Sequence, residues 1–164
     1  MNTSEQGAHS GSKLSFKTEM SFDYGVAVDV APGVRRIVAN NPGPFTFKGT
    51  NTYLVGRGDV AIIDPGPDEK AHLEAIAEAT KGERISHILI THTHRDHIDA
   101  LKPLKSQTNA PVLAFGPTGK PRGVRTTSPS GKAFVDLDFT PDEQMKNGDM
   151  IQGRGWALDV IHTP

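Results

Sequence analysis

Apolar residues along this chain fall in short runs broken by glycine and proline, the pattern of strands and turns rather than of long helices. Val26–Val30 and Val34–Val38 read as strands separated by the turn Ala31-Pro32-Gly33. After a Pro/Gly loop over Asn40–Gly49 come strands Thr52–Val55 and Val60–Ile63, on either side of Gly56-Arg57-Gly58-Asp59. Asp68–Thr80 is the clearest helix: Ala71, Leu73, Ile76 and Ala77 form its expected apolar face, with acidic residues in its first turn. Ser86–Ile90 is a further buried strand. A second helix is expected from about Ile98, carrying Ala100, Leu101 and Leu104, with Pro103 restricting its start. Val112–Phe115 reads as a short strand, Gly116–Lys132 as a long irregular loop, and Met150–Ile151 with Trp156–Ile161 as a closing hairpin across Gln152-Gly153-Arg154-Gly155. Hairpins followed by strand–helix–strand units imply an α/β layered domain with ligands gathered at the C-terminal strand ends.

Composition narrows the class without naming it. A length of 164 residues suits one domain, and 23% charged residues with a net charge of −1 give no electrostatic reason for a nucleic-acid or membrane partner. No apolar run approaches the roughly 20 residues needed to span a bilayer. Residues 1–20 are Ser/Gly-rich and read as a flexible polar arm, leaving 21–164 as the domain. That arm lacks the basic start and apolar stretch of a secretory signal, so a cytoplasmic location is expected. The chain has no cysteine, which excludes disulfides and thiolate metal sites.

The chemistry concentrates in Thr91-His92-Thr93-His94-Arg95-Asp96-His97, directly after the Ser86–Ile90 strand. Residues two apart in extended backbone point the same way, so His92, His94 and Asp96 converge if strand geometry persists into the loop. Imidazole and carboxylate are good ligands for zinc at roughly 2.0–2.2 Å. Four such groups within six positions suit two adjacent cations better than one. The intervening Thr91, Thr93 and Arg95 are expected to pack or face away. Asp64, before Pro65-Gly66, reads on its own as a turn aspartate bonding nearby amides. His87 reads as a core or edge histidine, and neither His72 nor His9 has ligand spacing.

His92, His94, Asp96 and His97 fill the H-x-H-x-D-H signature of the metallo-β-lactamase-fold superfamily, which the chain resembles from about Asn40 to Pro164. Val60–Gly66 looks like that superfamily's earlier strand and Asp-x-Gly turn, and Leu158–Pro164 like the strand leading to its next ligand. Asn41–Tyr53 most resembles the β-lactamase-like hydrolases related to an endoribonuclease, with hydroxyacylglutathione hydrolases of the glyoxalase II type next. The resemblance implies a four-layer αββα sandwich, of which this chain supplies about the N-terminal half, as an N-terminal fragment would. It implies two divalent cations in the complete domain, zinc first, with manganese or iron as alternatives. His92 and His94 would hold one cation, Asp96 and His97 the other, with Asp64 supporting the ligands and Asp96 orienting the hydroxide. His162 precedes the family's next ligand position by four residues and is not read as a ligand.

The expected activity is hydrolysis by metal-activated water, on an RNA-like phosphodiester or an acyl or thioester substrate. The run Lys102, Lys105, Lys120, Arg122, Arg125 and Lys132, without an acid between Asp99 and Asp136, would be an anion cradle or a solvated surface. Phe45 and Phe47 alternate in a loop and would either flap over a substrate or start a strand. The competing expectation is a non-catalytic metal-binding or interaction fragment, with self-association through an uncovered sheet face.

Overall fold

The computed structural model of the chain describes residues 19–117, 127 and 133–163. The expected arm therefore lies almost wholly outside the described residues, as do Lys120, Arg122, Arg125, Lys132 and most of the Gly116–Lys132 loop. Strands β1 (Val28–Ala31), β2 (Val34–Val38), β3 (Asn51–Val55) and β4 (Asp59–Ile63) run as an antiparallel meander. Helix α1 (Lys70–Ala79) then crosses to β5 (Arg84–Ile90), which pairs parallel with β4. The short helix α2 (Arg95–Ile98) and helix α3 (Leu101–Thr108) cross to β6 (Val112–Ala114), and β7 (Glu143–Gln144) adds the far edge, both in parallel. The result is one seven-stranded sheet in sequence order, with a separate hairpin of β8 (Met150–Gly153) and β9 (Trp156–Asp159).

Alternation along the central strands divides the apolar residues between two faces. Leu54, Val60, Ile62, Ile88 and Ile90 join Ile76 of α1, Ile98 of α2 and Leu104 of α3 in the larger core. Residues of the opposite parity, Val55, Ala61 and Leu89 with Leu113, meet Trp156 of the hairpin. Helices thus cover one face, and a single hairpin contributes to covering the other. Each fully buried isoleucine of the first core stabilises the sheet by about 1.5–3 kcal/mol relative to an exposed one.

Several expectations need correction. The apolar face of α1 is carried by His72 and Ile76, with Leu73 and Ala79 partly buried, while Ala71 and Ala77 are exposed. Asp68 and Glu69 precede α1, so its first turn holds no acid. The second helix starts three residues early, at Arg95, and is two pieces, since Ala100 is a fresh N-cap for α3. Pro103 is accommodated because it falls in the first turn of α3, where its missing N–H has no helical partner to lose. Strand β7 has two exposed polar residues and no apolar signal; pairing with β6 alone makes it a strand. The closing strand ends at Asp159 rather than Ile161, and only Arg154 and Gly155 form the hairpin turn.

Candidate metal centre

Extended geometry does not persist through the histidine motif. It lasts to His94, whose φ of −66° and ψ of 141° make it the N-cap of α2, and Asp96 and His97 then sit on that helical turn. Convergence comes instead from the change of geometry, which folds His97 back over His92. Their ring centroids lie 4.1 Å apart, and those of His92 and His94 4.7 Å apart. The His97 Nε2 atom is 3.4 Å from Asp96 Oδ2. Ligand atoms of Asp64, His92 and His97 all lie within 4.8 Å of one another. The tightest grouping therefore crosses the two pairs expected from sequence and brings in Asp64, while His94 joins through its ring contact with His92.

Asp64 owes its place to parallel pairing of β4 and β5, which sets their C-terminal ends side by side. Its N–H donates to the Leu89 carbonyl at 2.9 Å. The carboxylate is buried and is not a local turn group. Oδ1 accepts from the Thr91 amide at 2.8 Å, and Oδ2 accepts from Thr91 Oγ1 at 2.6 Å and from His97 Nδ1 at 2.9 Å. With its one proton given to Asp64, Thr91 Oγ1 must accept from His92 Nδ1, 2.9 Å away. Both Nδ1 atoms thus carry hydrogens committed to protein oxygens. The neutral rings are left with their lone pairs on Nε2, the state a metal requires. Thr91, expected to face away, is the link that sequence reading missed.

Asp96 is held by Thr50 at the same oxygen that faces His97. Thr50 Oγ1 donates to Asp96 Oδ2 at 2.6 Å, and Asn41 brackets Thr50, its Nδ2 lying 3.1 Å from Oγ1 and its Oδ1 accepting the Thr50 amide at 2.9 Å. Gly66 ties the Asp-Pro-Gly turn to the helical segment, donating to the His97 carbonyl and accepting from the Ala100 amide, each at 3.0 Å. Its φ is 89°, and a Cβ on it would lie 2.6 Å from His72 Nε2, so no side chain fits there. His72 is not a ligand: it is buried behind this turn with Nε2 2.9 Å from Thr52 Oγ1. Burial holds its pKa below the ordinary value and keeps it neutral.

Charge is unevenly spread over the two inner rings. Burial, with His97 next in weight, lowers the pKa of His92. Burial pulls His97 down too, but the hydrogen bond and charge of Asp64 and the charge of Asp96 outweigh it and raise its pKa. His162 is exposed just past the C-terminal end of β6, at the same edge of the sheet from which the motif follows β5, stacked on Phe115 with centroids 3.8 Å apart and its amide bonded to Asn147 Oδ1. His87 meets Trp156 edge-on, as a core-edge histidine does.

The residues fit a divalent cation on the chemistry of the donors: two oriented imidazoles and carboxylates of Asp64 and Asp96 at their rim. Comparison with known proteins places this arrangement in a family. Residues 45–164 match the model of the metallo-beta-lactamase superfamily, and the chain belongs to it. It is 32% identical over 152 residues to the lactamase-like protein adaB of Aspergillus niger, covering 79% of this chain and 47% of that one. An atrochrysone carboxyl ACP thioesterase of Passalora fulva is 42% identical over 78 residues, covering 46% of this chain and 23% of the other. Among solved structures, a metallo-beta-lactamase of Cronobacter sakazakii superposes with a TM-score of 0.58 at 22% identity, over 83% of this chain and 54% of that one. The subclass B3 enzyme MEM-A1 from a soil metagenome gives 0.61 at 17% identity, over 87% and 54%. The fold is thus the α/β metallo-β-lactamase sandwich. The chain spans less than half the length of the curated relatives it matches.

Proposed function

We propose that these residues form the metal-binding part of a hydrolase acting on an acyl ester or thioester. One observation carries the reading: the Asp64–Thr91 pair commits the Nδ1 atoms of His92 and His97 to protein oxygens, and ligand atoms of Asp64, His92 and His97 lie within 4.8 Å of one another. Zinc, or another divalent cation, would supply a water acidic enough to ionise near neutral pH and a Lewis acid for the scissile carbonyl. The residues that would hold it are His92, His94, Asp96 and His97. Asp64 would orient the His97 ring directly and the His92 ring through Thr91. Thr50, bracketed by Asn41, would fix the Asp96 carboxylate.

The acyl side of the choice is supported by a relative described as an ACP thioesterase. The phosphodiester alternative leans on the likeness of Asn41–Tyr53 to the endoribonuclease-related hydrolases and on the basic run, whose described members offer it little. Lys105 is bound to Asp142 at 2.6 Å, and the groove it lines with Lys102 and Arg95 also contains Asp99 and Asp136.

The test sets thioesters and phosphodiesters side by side, with zinc or manganese added, for the wild-type chain and Asp96→Asn. Thioester turnover that falls by at least about 100-fold in the variant is the expected result, the scale of one electrostatic or acid–base contribution. Undiminished turnover in Asp96→Asn would reject the role given to the motif. Metal retention with no turnover of either class would favour a non-catalytic metal-binding module.

A further inference from the structure

Helix α1 buries two residues one turn apart, His72 and Ile76. Ile76 lies in the larger core, where an apolar side chain is the default. His72 stands at the next place on the same face and is only 3% exposed, where helical period alone would put another aliphatic residue. Its Nε2 meets Thr52 Oγ1 at 2.9 Å. Thr52 is itself fully buried, on the face of β3 that carries Leu54 into the same core. A buried polar pair carries a desolvation cost that a leucine and a valine would not, so packing alone does not account for it.

The backbone that the pair touches does account for it. A Cβ on Gly66 would lie 2.6 Å from His72 Nε2, 2.9 Å from its Cδ2 and 3.3 Å from Thr52 Oγ1, so Gly66 rests directly against both side chains. Both peptide groups of Gly66 engage the helical turn of the motif, its N–H with the His97 carbonyl and its carbonyl with the Ala100 amide. Two residues earlier, Asp64 accepts from the His97 ring at 2.9 Å. His97 is therefore held from one loop at two points, its ring by Asp64 and its backbone by Gly66. Any shift of Gly66 changes the angle at which the ring meets Asp64. His72 stays neutral, because burial outweighs a backbone bond with Pro65 that favours the charged ring, and so it adds no positive charge behind a cation.

We propose that His72 is a positioning residue of the metal centre: locked to Thr52, its ring is the seat of Gly66, and Gly66 sets where the His97 turn stands against Asp64. The inference rests on the reading of these residues as a metal centre and adds a determinant that touches none of the donors. The hydroxyl of Thr52 fixes the plane of the imidazole, which an apolar side chain of similar volume would leave unfixed.

The experiment compares Thr52→Val, His72→Leu and His72→Gln with the wild-type chain in two readouts. The first is amide hydrogen exchange in the metal-free protein. Thr52→Val and His72→Leu should each speed exchange at Gly66 and Ala100 by about three- to tenfold, the value of one lost hydrogen bond, while Ile62 and Ile88 in the sheet keep wild-type rates. His72→Gln, whose amide reaches the place of Nε2, should restore most of the protection. The second readout is zinc affinity against a competing chelator. It is expected to fall about tenfold in Thr52→Val and His72→Leu and to recover in His72→Gln. Thr52→Val keeps the shape of the side chain and suits a strand, so this variant should fold even where His72→Leu does not. Unchanged exchange at Gly66 and Ala100 would overturn the proposal. So would acceleration spread evenly over the sheet, the mark of a pair that only stabilises the fold, or a zinc affinity indifferent to all three substitutions. A wild-type chain that binds no zinc would reject the metal reading instead, and the exchange pattern would still decide whether His72 seats Gly66.

Discussion

Asp64 shows how one carboxylate can set the protonation of two rings at once. Its oxygens are filled by the Thr91 amide, the Thr91 hydroxyl and His97 Nδ1, and the hydroxyl passes the constraint on to His92. Asp64→Asn separates this role from backbone geometry, because its φ of 51° is left-handed and asparagine tolerates that region well. Both ring-fixing bonds fall on Oδ2 and the Thr91 amide on Oδ1, so an amide nitrogen in the first place frees both rings and in the second meets the Thr91 N–H donor to donor. Zinc affinity measured against a competing chelator is expected to fall about 10–100-fold, the usual loss when such a supporting partner is removed. The circular dichroism spectrum should stay native. An unchanged affinity would show that the rings are held without Asp64.

At the scale of elements, the β8–β9 hairpin is fastened to the sheet by one buried acid and one indole. Asp59 Oδ1 accepts from Arg84 Nε at 2.7 Å, and its Oδ2 accepts the Arg154 amide in the hairpin turn at 3.0 Å. Trp156 fills the space over Gly56 and Gly153, where a Cβ would come within 2.4 Å of the indole. The Arg154 amide, followed by Arg84, lowers the Asp59 pKa from 3.8 to about 2. A depressed folded-state pKa contributes stability that is fully present above the unfolded value and lost as pH falls through the folded one. Hairpin docking should therefore hold above pH 4 and weaken between about 4 and 2. Trp156 is the chain's single tryptophan, so its fluorescence reads this directly. In Asp59→Asn the acid-dependent step should disappear from that window. A transition of the same midpoint in the variant would assign it to other carboxylates.

The whole molecule is unevenly covered. Beyond the hairpin, the second sheet face carries Val34 and Ile63 only partly buried, and edge strand β1 is exposed along its length with Val28 and Val30 in solvent. An apolar edge with unpaired backbone groups is a template for pairing with another chain. Sedimentation of the 164-residue chain is expected to show association that grows with concentration. Val30→Lys should reduce it, since a charge on an edge strand is costly to bury. A monomer at all concentrations would rule out self-association by this face or edge. Among the described residues, no helix is long and apolar enough to cross a membrane.

What the sequence by itself determined lies in residue type and short-range period. The short apolar runs Val34–Val38 and Val60–Ile63, bounded by glycine turns, name strands, and the residue types of His92, His94, Asp96 and His97 name donors, although the period-two convergence expected of them stops at His94. Three things were decided only in three dimensions. Helix α2 begins inside the motif because the 133–136 segment binds its entry, through Phe134 to Arg95 and Asp136 to Thr93, and no local signal announces a partner some 40 residues away. His72 looked idle because helical spacing gives burial but not what lies behind the buried face; only the close approach of Gly66 makes it the backing of the Asp64 turn. The link from Asp64 to Thr91 spans 27 positions and exists because β4 and β5 pair in parallel, with Ile63 opposite Leu89. Donor chemistry is a property of single residues, whereas the proton on each histidine is set by register, which only the folded sheet supplies.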